Sequence, residues 1–151
     1  MGSKPWKAIT AHDPDVRVAL SRAQEEAFAR GEFGFTYAMT QMWASLGMKP
    51  PQALPPEQKA RSIEHAREIG AESGTCSVLD VIEIDARPAP GVAGPFSELE
   101  EIVGTSHPTR EQLQQSLSGL YKRLGRGEAA YVPCFEDGKP VTIWFIGMSF
   151  D

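Results

Sequence analysis

The sequence predicts an α+β fold in which helices pack on a small, mainly antiparallel sheet of three strands. Residues 141–150, VTIWFIGMSF, are apolar at both of their alternating sets of positions, so this strand is expected to be covered on both faces. A preceding strand at 128–136 is joined to it by Asp137 and Gly138, a pair typical of hairpin turns. The stretch at 76–84, rich in β-branched residues, is expected to supply the third strand.

Pro133 predicts the order of these strands. Because proline cannot donate to a central ladder, the strand at 128–136 is expected to lie at the edge of the sheet or to carry a bulge. The strand at 141–150 then takes the middle position, with the strand at 76–84 on its other side. The predicted spatial order is first, third, second (1-3-2), with a right-handed crossover from the first strand through the helix that starts at Thr109.

Helices are predicted from capping residues and from the spacing of apolar side chains. Asp13 can accept hydrogen bonds from the free amides of a first turn, and Pro14 suits the first helical position. Thr109 and Gln112 have the spacing of a capping box, in which each side chain binds a free amide of the other residue. The predicted helices span residues 14–30, 37–46, 57–72, 97–103 and 109–124.

The remaining segments are predicted as loops and a tail. Residues 86–96 are rich in proline and glycine, which predicts an exposed loop. Four prolines between residues 50 and 56 predict a rigid connector. No helix or strand is predicted ahead of the first helix, so residues 1–12 are expected to form a flexible tail.

Composition indicates one soluble, globular domain that spans residues 1–151. The chain is 41% hydrophobic and 23% charged, which is ordinary for a folded protein of this length. Its 15 basic and 20 acidic residues give a net charge of −5, which disfavours nucleic acid and anionic membranes as partners. The sequence contains no signal-peptide core and no apolar run of membrane-spanning length, so a cytoplasmic location with reduced cysteines is expected.

Common motifs for nucleotides, metals and serine nucleophiles do not occur in the sequence. It contains no phosphate-binding glycine loop, no C-x-x-C, no H-E-x-x-H and no G-x-S-x-G. The histidines are isolated from one another in the sequence. No cofactor and no metal site are therefore predicted.

A thiol site is the main catalytic hypothesis. Cys76 lies in the polar stretch 73–77 and could act as a nucleophile with His65 or His107 as its base. A structural interpretation competes, because small polar residues also suit a helix exit and free cysteine is often a buried hydrophobe. Asp80 is a further candidate, since it shares a predicted strand face with apolar residues and a buried carboxylate needs a partner. Structural hydrogen bonding is the preferred interpretation of Asp80, because structural networks also perturb carboxylates.

Two functions follow from these observations. The first is a non-enzymatic protein-interaction module, in which aromatic and methionine residues at 33–43 either cap the core or form a surface for a partner. Its acidic charge would speed binding to, and inhibition of, a basic protein, and a homodimer is expected if helices leave one sheet face uncovered. The second is a small enzyme or ligand-binding protein that uses Cys76, a histidine, and the loop 86–96 as a lid. The first function is preferred because it requires fewer special features.

Overall fold

The computed structural model describes residues 3–49, 59–70 and 74–150. Five strands and five helices make up the fold in this part of the chain. The strands are β1 (Pro5–Ala11), β2 (Glu83–Ile84), β3 (Val92–Pro95), β4 (Ala129–Glu136) and β5 (Lys139–Met148). The helices are α1 (Val16–Ala29), α2 (Gly34–Ser45), α3 (Ile63–Gly70), α4 (Leu99–Val103) and α5 (Arg110–Tyr121).

The strands form one mixed sheet in the order β1-β5-β4-β3-β2. The neighbours β2, β3 and β4 run parallel, whereas β5 is antiparallel to β4 on one side and to β1 on the other. The predicted sheet of three strands in the order 1-3-2 is therefore wrong. The predicted interior position of the strand within 141–150 is confirmed, because β5 has a strand on each side.

Helices cover β5 on both faces, as its two apolar sets predict. Ile143 and Phe145 are buried against α1 and the segment around residues 78–81. Trp144 and Ile146 are buried on the opposite face, in a cluster with side chains of α4 and α5. The alternation along β5 thus divides the core into two apolar layers, one on each face of the sheet.

The stretch at 76–84 is mostly not a strand. It forms a 3₁₀ turn at Val78–Asp80, and only Glu83–Ile84 joins the sheet. Side chains bind the local backbone here: the Ser77 hydroxyl accepts from the Leu79 amide at 3.3 Å. Such bonds compete with a strand ladder. Val78 and Val81 therefore fill the core from this turn and the residue after it instead of from a strand, whereas Ile82 is exposed.

A strand lies inside the predicted loop at 86–96, because β3 occupies Val92–Pro95. Gly94 makes this possible. A Cβ atom at this position would lie 2.6 Å from the carbonyl carbon of Arg87 and 2.7 Å from the nitrogen of Pro88. Only glycine leaves room here for the backbone of Arg87 and Pro88 to pass close to β3. Gly94 therefore allows a close backbone contact and does not interrupt the strand.

The segment predicted as a flexible tail contains β1, which pairs with β5 from Pro5 to Ala11 without a register shift. Its side chains alternate, with Trp6, Ala8 and Thr10 buried and their neighbours exposed. The alternation is hard to see in the sequence, because the buried set includes a threonine and the exposed set includes an isoleucine.

Pro133 lies in an interior strand, and two features explain how β4 accommodates it. The strand β3 pairs with β4 only as far as Tyr131, and the missing donor of Pro133 faces this side, beyond the end of β3. The next amide on that side, that of Phe135, donates to the carbonyl of Pro108 at 2.8 Å. The predicted edge position is wrong, but a register shift between Cys134 and Phe135 provides the predicted irregularity.

Most helix predictions differ from the structure only at their ends. The side chain of Asp15, not that of Asp13, accepts from the amide of the first turn, so α1 begins two residues later than predicted. The capping box of Thr109 and Gln112 is confirmed in both directions. The predicted proline connector and the two end residues of the predicted third helix, 57 and 72, lie outside the described residues. Residues 59–62 are predicted to be helical but are not, and α3 begins at Ile63.

Replacement of Trp144 tests the two-sided core. Trp144 is 1% exposed, so Trp144→Ala is expected to lower the free energy of unfolding by about 3–5 kcal/mol, through lost burial and the cavity left behind. Chemical denaturation measures this change. Val141→Ala is the matched control, because Val141 lies on the same strand and is 40% exposed. Equal effects of the two substitutions would contradict the burial of Trp144.

Candidate functional site

The buried acidic residue predicted as a candidate, Asp80, organises a tight loop at residues 74–80. Its Oδ1 atom accepts from the amide of Thr75 at 2.6 Å and from the hydroxyl of Thr75 at 2.8 Å. Its Oδ2 atom accepts from the amide of Cys76 at 3.1 Å. Asp80 is 8% exposed, so these bonds replace the water that the carboxylate loses on burial.

Burial raises the pKa of Asp80 above its ordinary value, and the hydrogen bonds from Thr75 and Cys76 act against this rise. The positive charge of Arg67 also favours the ionised carboxylate. Arg67 itself donates to the carbonyl oxygens of Leu79 at 2.6 Å and Val81 at 3.1 Å. The arginine thus fixes the backbone on either side of Asp80 while it contributes charge.

The thiol of Cys76 is buried in this loop. Cys76 has a φ of 57°, in the left-handed region that non-glycine residues rarely adopt, and this conformation aims its amide at Asp80. Burial, and after it the neighbouring charge of Asp80, raise the pKa of the Cys76 thiol to about 11, and the charge of Lys4 acts against this rise. A nucleophilic thiol needs the opposite, a pKa below the ordinary cysteine value.

The two candidate histidines have other partners. His65 lies in α3, where its Nδ1 atom accepts from the backbone amide of Arg61 at 3.0 Å. The ring of His107 contacts the ring of Phe135 at a centroid distance of 4.4 Å, and its Nδ1 atom bonds with the hydroxyl of the preceding serine at 2.9 Å. Among residues 3–49, 59–70 and 74–150, no hydrogen bond joins either imidazole to Cys76. The structure therefore brings Cys76 together with Asp80 and not with a histidine.

The predicted lid, residues 86–96, borders a cleft of about 510 Å³. Arg87 and Arg123 line it together with Glu98 and Glu128. Arg123 forms an ion pair with Glu98, and Glu128 accepts from the amide of Gly125 at 2.8 Å. The cleft lining includes neither Cys76, Asp80 nor a histidine, so this loop does not close over the thiol in the structure.

The aromatic segment at 33–43 combines core and partly exposed residues. Phe33 is buried and stacks on Phe28 at a centroid distance of 5.6 Å. The side chains from Thr36 to Trp43 in α2 are half-buried, whereas Ala44 near its end and Leu46 and Met48 beyond it are exposed. These half-buried residues include Tyr37, Met39, Met42 and Trp43, whereas the side chain of Phe35 lies outside the described residues.

The outer edge of β1 is a further candidate that the sequence did not indicate. The amide of Ser149 donates to the carbonyl of Lys4 at 2.8 Å, and the amide of His12 donates to the carbonyl of Val141 at 3.0 Å. Because hydrogen-bonding direction alternates along a strand, the even-numbered residues of β1 bond to β5. The odd-numbered peptide groups of Pro5–Ala11 therefore face away from the sheet, and we call them the β1 edge.

Within the described ranges, no strand pairs with the β1 edge. In the described part of the chain, Arg22 binds one group of this edge, donating from Nη1 to the carbonyl of Ala11 at 3.1 Å. Lys7 and Ile9 present exposed side chains on one face of β1, and Ile9 is 37% exposed. The edge thus offers main-chain donors and acceptors next to one cationic and one apolar side chain.

The part of the chain that the structure describes contains neither a cluster of metal ligands nor a membrane-spanning helix. There, no group of three or more histidine, cysteine, aspartate or glutamate side chains is placed to hold a metal ion. No helix in these residues has the length and apolar character needed to cross a membrane. No protein-family model, curated protein or solved structure matches the chain.

Removing the Asp80 carboxylate tests its structural role. Asp80→Ala leaves the buried amides of Thr75 and Cys76 without their acceptor, so a loss of at least about 2 kcal/mol in the free energy of unfolding is expected. Asp85→Ala is the control, because Asp85 is exposed. Denaturant titration of both variants gives the comparison. A loss no larger than that of the control would show that the loop does not depend on this carboxylate.

Proposed function

We propose that the protein is a non-enzymatic protein-interaction module that binds a partner strand along the β1 edge. The observation that carries this proposal is the outward direction of the peptide groups of Lys7, Ile9 and Ala11, together with the place of β1 at the end of the sheet. An edge strand with unpaired donors and acceptors is a template for the addition of another strand. Main-chain hydrogen bonds would supply affinity in such a complex.

The two edges of the sheet differ in a way that favours β1. Proteins protect exposed edges by making them short, charged, bulged or rich in proline. The edge strand β2 has only 2 residues, whereas β1 has 7 and pairs regularly along its whole length. Only Pro5 and Lys7 act as protective residues on β1, and both lie in its first half.

Lys7 and Ile9 would determine which strand binds. Both side chains are exposed on the same face of β1, so they would lie next to the side chains of an added strand. With Lys4 just ahead of β1, the first half of the edge is basic. It therefore favours acidic or apolar side chains in the partner strand. The binding of a basic protein, expected from the net charge of −5, would have to use another surface and stays a prediction.

The environment of Cys76 supports a non-enzymatic function over thiol catalysis. A thiol whose pKa is about 11 is protonated at neutral pH, and Cys76 is also buried. Both properties oppose nucleophilic attack. The polar groups around Cys76 bind one another, which is what a structural loop requires.

Thiol alkylation distinguishes the two functions. In a Cys134→Ser variant, Cys76 is the only thiol, and its reaction with iodoacetamide is expected to stay slow from neutral pH upward until the pH approaches about 11. The same variant unfolded in denaturant is the control and should react near the ordinary cysteine pKa. Fast alkylation of the folded variant at neutral pH would instead favour the small enzyme.

Amide hydrogen exchange tests whether the β1 edge is open. In dilute solution the amides of Lys7, Ile9 and Ala11 are expected to exchange rapidly, whereas the alternate amides bonded to β5 are expected to be protected. The alternation itself is the internal control, because both sets lie on one strand. Protection of the outward set in the monomer would mean that the edge is covered within the chain, and the proposed function would then fail.

Binding can be tested with a displayed library of random peptides. Ile9→Pro removes one outward donor and leaves the bonds between β1 and β5 in place, so it is a matched negative variant. Peptides selected on the wild-type chain are expected to lose binding to this variant. Peptides that bind both proteins equally would contradict strand addition at β1.

A further inference from the structure

We infer that the partner strand is β1 of a second copy of this chain, so that two molecules join their sheets through a twofold axis at Ala8. This inference rests on the proposed function and names its partner. It follows from the hydrogen-bonding groups of the β1 edge, from the positions of its charges and from the location of its one proline.

The free groups of the β1 edge match one another in number. The outward donors are the amides of Lys7, Ile9 and Ala11, since Pro5 has none. The outward carbonyls belong to the same residues and Pro5, but that of Ala11 already accepts from Arg22. Among the residues that the structure describes, the carbonyls of Pro5, Lys7 and Ile9 therefore remain for the outward amides.

Antiparallel pairing centred on Ala8 satisfies all of these groups. Lys7 then lies opposite Ile9 of the second copy, and the two residues exchange both of their hydrogen bonds. The amide of Ala11 donates to the carbonyl of Pro5 in the other molecule. The donor that Pro5 lacks falls opposite the Ala11 carbonyl, which Arg22 already binds within its own chain. The proline therefore costs the interface no hydrogen bond.

The neighbouring registers fit less well. Centring the pair on Lys7 places two lysines directly opposite each other, which is unfavourable. It also places Ile9 opposite Pro5, and because proline has no amide hydrogen, the carbonyl of Ile9 receives no donor. Centring the pair on Ile9 directs the amide of Lys7 at the carbonyl of Ala11, where Arg22 is bound. The register centred on Ala8 avoids both conflicts.

Charge favours the antiparallel direction. Lys4 and Lys7 lie at the start of β1, and Asp13 and Asp15 follow its end. Antiparallel pairing brings the lysines of each copy towards the aspartates of the other, whereas parallel pairing would place like charges side by side. At the axis two Ala8 residues face each other, and a side chain this small suits the close approach of about 4.5 Å between Cα atoms in a non-hydrogen-bonded pair.

Sedimentation over a range of protein concentrations tests the inference. A monomer and dimer in equilibrium are expected, and dimer formation should slow the exchange of the Lys7, Ile9 and Ala11 amides that are open in dilute solution. A chain that stays monomeric at the highest concentration would overturn the inference. The proposed function would survive that result, because it is tested separately, by the exposure of these amides in the monomer and by peptide binding to the Ile9→Pro variant.

Charge substitutions test the register. Each dimer contains two pairs in which residue 9 of one copy lies opposite Lys7 of the other. Glutamate at position 9 would attract this lysine and lysine would repel it, so Ile9→Glu is expected to give a dimer Kd about tenfold lower than Ile9→Lys. In a Lys7→Glu background this order is expected to reverse. If Ile9 faced itself, glutamate and lysine would weaken the dimer alike, and the register would be wrong.

Ile82→Lys is the matched control, because Ile82 is 72% exposed and lies beside β2 at the opposite end of the sheet. It is expected to leave the dimer Kd unchanged. A dimer that is weakened by Ile82→Lys and insensitive to charge at Ile9 would overturn the inference. Unfolding measured in dilute solution checks that each variant keeps its fold, and exposure of Ile9 makes these substitutions compatible with folding.

Discussion

The burial of β5 on both faces is the constraint on which the rest of the structure depends. Its side chains supply the centre of both apolar layers, with Phe145 in one and Trp144 in the other. A strand of this kind needs hydrogen-bonding neighbours on both edges and helices on both faces. The strands β1 and β4 fulfil the first need, and α1 and α5 take part in the second. The hairpin and its flanking elements are thus consequences of one strand that cannot face water.

A buried carboxylate performs a different task at residues 74–80. Burial disfavours its charge, but two amides and a hydroxyl bind it, and Arg67 fixes the carbonyls on either side. The loop gains a defined conformation, which includes a left-handed Cys76. The same arrangement raises the pKa of the thiol and withdraws it from solvent. Structural order and thiol reactivity are therefore opposed here, and this opposition favours binding over catalysis as the function.

The two edges of the sheet differ in the length of the strand that forms each of them. On one side β2 is too short to accept a long partner, and on the other β1 continues for 7 residues with its peptide groups directed outward. Arg22 and Pro5 account for the groups that a second copy could not satisfy. An interface of this kind would need no pocket and no cofactor, since the main chain supplies the bonds.

The sequence by itself determined the features that depend on neighbouring residues or on one element's own side chains. These include the two buried faces of the strand within 141–150, the turn at Asp137 and Gly138, where both residues have positive φ, and the capping box at Thr109. Only the tertiary structure decided that residues 78–80 form a turn, that Gly94 lies within a strand, and that β1 ends the sheet. Side-chain patterns report burial, whereas strand pairing depends on which distant backbone lies alongside. For that reason the β1 edge, which consists of peptide groups, left no signal in the sequence.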